Sequence, residues 1–138
     1  MGTWNIGPFD NDDASDLVDD VIKKGVKRAE DAIGRVLKVG SNYLEAPEAQ
    51  QGIAAAEIIA QLSGGSSAVE ESIPELSEWT LRQLVKPSEE VVHRAQAAVN
   101  RVLAEPSELL ELWSEAEEFD AWRASVQGLA DRLATKTG

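Results

Sequence analysis

The sequence predicts an all-α fold, a compact domain of about six or seven helices around one buried central helix. Three observations carry this expectation. Apolar residues recur at intervals of three and four along most of the chain, and no stretch shows the alternation of a half-buried strand. Clusters of Gly, Pro, Ser and Asn punctuate those periodic stretches at helix-length intervals. Finally, the stretch from Ile53 to Leu62 is apolar on nearly every face, and a helix that is hydrophobic all round is a buried helix. The other helices must supply its surroundings, and it carries one ionisable residue, Glu57, in among them.

Residues 1–10 place Trp4, Ile6 and Phe9 among Gly2, Gly7 and Pro8, with Asn5 also tolerant of positive φ. This composition opposes a helix, and its large side chains need burial, so an irregular strap pinned to the helical body is expected. Asn11 or Asp12 then caps a first helix running to about Lys24. Leu17, Val18, Val21 and Ile22 form its apolar face, with aspartates in its first turns, lysines in its last, and Gly25 closing it. A second helix spans about Val26 to Lys38, with Val26, Ala29, Ile33, Val36 and Leu37 inward and Lys27, Arg28, Arg35 and Lys38 outward. The central third helix starts near Pro47, which suits a first helical turn. It ends at Leu62 before the linker Ser63-Gly64-Gly65-Ser66-Ser67.

Pro74 opens a short fourth helix through Leu84, with Leu76, Trp79, Leu81 and Leu84 as its apolar residues. Pro87 or Ser88 starts a fifth helix to about Leu103, burying Val91, Val92, Ala95, Val99, Val102 and Leu103. Ser107 caps a short sixth helix with Leu109, Leu110, Leu112 and Trp113. In a seventh helix, Phe119, Trp122, Val126, Leu129 and Leu133 recur at helical spacing. The decapeptides starting at Arg28 and Arg94 share Arg, Ala, Ala, Arg, Val and Leu at matching positions. Each lies on a basic helix followed by an acidic connection, so residues 26–62 and 88–134 are candidates for two related hairpins.

The opening Met-Gly-Thr-Trp-Asn-Ile-Gly-Pro-Phe-Asp-Asn-Asp resembles the N-terminal signature of a bacterial family catalogued as domain of unknown function 4259. Met1, Gly2, Trp4, Gly7, Pro8, Phe9, Asp10, Asn11 and Asp12 match it, whereas Asn5 replaces the usual glycine. The stretch from Tyr43 to Glu48 and the run Ala54-Ala55-Ala56-Glu57 are also similar to the family, so the resemblance covers most of the chain. It implies a small helical domain and no known activity.

With 138 residues, 43% hydrophobic and 28% charged, the chain fits one domain over residues 1–138. A domain of this size buries roughly two thirds of its unfolded surface. It has no cysteine, which removes disulfides, thiolate metal sites and cysteine nucleophiles. A cytoplasmic protein is expected, because neither a signal peptide nor a membrane-spanning run of about 18 apolar residues is present. The net charge of −12 is segregated: residues 1–20, 45–80 and 105–122 contain no base, while 21–44, 81–104 and 123–138 are net basic. Alternating segments suit antiparallel neighbours whose rims attract, although each exposed pair contributes only about 0–1 kcal/mol. The acidity disfavours nucleic acid and suits a basic protein partner.

Little else points to chemistry. His93 is the sole histidine and reads as a boundary residue, so the usual paired-histidine metal sites are out of reach, and no metal or cofactor is expected. The aspartates from Asp10 to Asp20 lack the glycine and terminal glutamate of a calcium loop. Scattered as they are, Trp4, Trp79, Trp113 and Trp122 read as packing anchors. The candidate binding residues are Glu57, Trp4, Asn11 and Asp12. Glu57, amid alanines and isoleucines, must face a wet edge or be buried with a partner, for which an arginine of the basic helices or donors from the strap are expected. The leading functional reading is a protein-binding module, regulatory or immunity-like. A carboxylate enzyme using a divalent metal and an architectural homo-oligomer are the alternatives.

Overall fold

A computed structural model of the chain describes residues 11–63, 74–83 and 86–134. The expected strap with Trp4, the linker after Ser63 and Leu84 lie outside the described residues. The described residues form seven helices and no strand: α1 (Asp12–Lys24), α2 (Val26–Lys38), α3 (Ala46–Leu62), α4 (Pro74–Arg82), α5 (Glu89–Val102), α6 (Glu108–Ser114) and α7 (Phe119–Ala134).

Local chemistry accounts for most of these boundaries. The Asn11 side chain accepts from the Ala14 amide at 2.8 Å and opens α1. Ser88 and Ser107 cap α5 and α6 in the same way. Gly25 joins α1 to α2 in a single residue at φ 101°, a conformation that a side chain would strain. Pro47 lies in the first turn of α3, which begins one residue earlier than its position suggested.

α3 is the axis of the molecule. From Ala49 to Leu62 every residue except Gln51 is buried, and α1, α2, α5, α6 and α7 pack around it. Its approach to α2 is close enough to require Gly52, where a Cβ would meet Val36 Cγ2 at 2.5 Å. Trp79, Trp113 and Trp122 are buried, the last two stacked with ring centroids 5.5 Å apart. Leu81 departs from the expected apolar set of α4. It is 85% exposed, because α4 buries Leu76 and Trp79 on one side and position 81 falls on another.

The α2–α3 and α5–α6 connections are tied at one end of the bundle. Leu44 donates to the Pro106 carbonyl at 3.1 Å and accepts from the Glu108 amide at 2.8 Å, while Glu108 Oε1 accepts from the Ala46 amide at 2.8 Å. Arg101 clamps the junction, donating to the carbonyls of Gly40, Asn42, Ala104 and Pro106 at 2.7–2.9 Å. Its counterpart in the internal match, Arg35, is instead exposed on α2. Likewise Arg28 is half-buried against Asp20, whereas Arg94 is exposed. The pairing of residues 26–62 with 88–134 therefore rests on the sequence match.

Candidate functional site

Glu57 sits midway along α3 and is 2% exposed. Its Oε1 pairs with the Arg132 guanidinium of α7, and its Oε2 accepts from Gln61 Nε2 at 3.2 Å, one turn further along α3. An arginine partner was expected, but Arg132 lies on α7 rather than on the basic second or fifth helix. It is next to the buried Leu133 in sequence, and its side chain is 31% exposed, so the guanidinium reaches Glu57 from the rim. Burial at one end and partial exposure at the other make the pair a tie between α3 and α7. Near it, Gln61 Oε1 and, at the end of α3, Ser63 Oγ are buried without a hydrogen-bond partner.

The other sequence-nominated residues are placed elsewhere. Asn11 is engaged in capping α1, and Asp12 is exposed in the first turn; neither hydrogen-bonds Glu57. Trp4 lies outside the described residues. Further along α1, Arg28 Nε donates to Asp20 Oδ2 at 3.3 Å and its Nη2 to Gln51 Oε1 at 3.4 Å. Gln51 in turn donates to the Asp13 carbonyl at 3.3 Å, which links α1, α2 and α3. Lost hydration, followed by repulsion from Asp16, Asp12 and Glu48, raises the Asp13 carboxyl above its ordinary 3.8. His93 is exposed on α5, and among the described residues no group of three or more acidic or histidine side chains is placed to hold a metal ion.

Two surface features were not singled out from the sequence. Residues 108, 111 and 112 share one face of α6, the spacing that brings helix side chains together, and Glu115 follows as its C-cap. On this face Leu112 is 45% exposed with Glu108 and Glu111, and neighbouring Tyr43, 47% exposed, donates its hydroxyl to Glu111 Oε1 at 3.0 Å. Lost hydration and this bond to a carboxylate raise the Tyr43 phenol above 10.0. The second feature is an open depression of about 510 Å³ between α2 and α5, rimmed largely by cations.

These observations define the class: an all-α protein with a central helix buried along most of its length and tied to its last helix by an ion pair. The chain belongs to the family described as domain of unknown function (DUF4259), which matches residues 2–125. No curated protein and no solved structure matches it. The family is the one that the N-terminal motif resembles. Arg132 could have been nominated as the base bordering the apolar stripe of α7; the Tyr43–Leu112 neighbourhood left no local signal, because its members are far apart in sequence.

Proposed function

We propose that this protein is a protein-binding module whose α6 face docks on a basic surface of its partner. The observation that carries this reading is the exposure of Tyr43 and Leu112 within a carboxylate-rich face. Two exposed apolar side chains at an end of the bundle rich in carboxylates, one of them bonded to Glu111, match the usual plan of an interface, an apolar centre with a polar rim. The carboxylates steer a cationic partner and confer salt sensitivity on its capture, while Tyr43 and Leu112 supply the desolvated contact. The Tyr43–Glu111 hydrogen bond holds the ring in place before binding and lowers the ordering cost.

The test is capture from the native lysate at low and high salt, comparing the wild type with Glu111→Lys/Glu115→Lys and with Leu112→Ala. A partner retained by wild type at low salt, released at high salt and lost from both variants is expected. Identical capture by wild type and variants would refute the assignment of this face.

A further inference from the structure

We propose that the depression between α2 and α5 binds a small phosphate-bearing ligand carrying at least two negative charges. Lys27, Arg35 and Lys38 of α2 and Arg94 of α5 line it, and none of the four is ion-paired. In a chain of net charge −12, this is a concentration of free cations. Glu30 and Asp31 also line the depression without pairing with them, which leaves the guanidinium forks open for bidentate contact with phosphate oxygens.

Arg94 reaches across to α2 and lies over Gly34: a Cβ there would stand 3.3 Å from Arg94 Nη2, a contact that the guanidinium relieves by shifting a few tenths of an ångström. The guanidinium is thereby placed against the α2 backbone, facing the cations of that helix.

Size and screening select the ligand. The volume of about 510 Å³ suits a small molecule, and the cations extend roughly 16 Å along α2 from Lys27 to Lys38. At physiological salt the Debye length is about 8 Å, so a small anion in the depression feels mainly its lining, where four cations outweigh the carboxylates of Glu30 and Asp31. A large acidic partner would also meet the acidic remainder of the surface. Glu30 and Asp31 accept from hydroxyl donors, which suits a sugar-borne phosphate, whereas inorganic diphosphate, which has no such hydroxyl, would use the cations alone.

The full chain is titrated calorimetrically with inorganic pyrophosphate and with fructose 1,6-bisphosphate at fixed ionic strength. Saturable binding of at least one probe is expected. Stronger binding of the bisphosphate identifies a sugar-borne ligand, and stronger binding of pyrophosphate a diphosphate group. Arg94→Glu, at an exposed position whose folding is checked by circular dichroism, weakens binding by about tenfold or more, the worth of a charge-assisted hydrogen bond. Arg35→Glu, at a second exposed cation lining the depression, weakens it likewise, whereas Gly128→Ala, with no neighbour near its added methyl, leaves it unchanged. Absence of saturable binding by both probes, or binding undiminished by Arg94→Glu or by Arg35→Glu, overturns the proposal.

Discussion

The Glu57–Arg132 pair predicts an asymmetry between its two members. Arg132→Met keeps an unbranched apolar stem but removes a cation from a carboxylate that is 2% exposed. Breaking a buried pair in this way costs about 3–5 kcal/mol. Glu57→Gln instead removes the buried charge, and the guanidinium, on a side chain that is 31% exposed, can take water in its place. The glutamine also retains an acceptor, so the cost falls to about 1–2 kcal/mol, that of a weakened hydrogen bond. In the double variant no charge is left uncompensated, and a coupling of about 0.5–3 kcal/mol is expected. Urea denaturation followed by far-ultraviolet circular dichroism and by tryptophan fluorescence measures all three, with unchanged slopes confirming two-state behaviour. A larger loss for Glu57→Gln than for Arg132→Met, or strict additivity in the double variant, would refute the tie between α3 and α7.

Three further outcomes follow from particular contacts. Gly52→Ala should lower stability by about 1–3 kcal/mol through overpacking against Val36, whereas Gly128→Ala, facing open space, should raise it by about 0.5–1 kcal/mol; thermal melts showing the same sign for both would contradict the close approach of α2 and α3. Tyr43 is the sole tyrosine, so phenolate absorbance reports it alone: it should titrate above 10.0, and Glu111→Gln should move it back towards that value. The raised Asp13 carboxyl means that the folded state binds this proton more tightly, so its contribution becomes unfavourable as pH rises above 3.8 through the folded value. Asp13→Asn should therefore stabilise the protein slightly at pH 7, by less than about 1 kcal/mol for a partly exposed group. That gain should vanish below the unfolded value, and denaturation curves at the two pH values check it.

Helix positions and the buried axis were legible in the amino-acid order because they depend on near neighbours. Asn11, Ser88 and Ser107 cap amides three residues away, Gly25 supplies the one-residue joint, and apolar spacing fixes each inward face. The isolation of Glu57 among alanines and isoleucines likewise limited it to a wet edge or a buried pair, but decided neither between these two nor which arginine would be the partner. Arg132 is far away in sequence, and its reach to Glu57 depends on how α7 is rotated and placed against α3. The same holds for Arg101 bridging two loops, for Arg94 crossing above Gly34, and for Tyr43 joining Glu111. Helical periodicity specifies the face a side chain occupies on its own helix, whereas its partner across an interface is set by the mutual placement of two packed helices, which is decided only when the whole core closes.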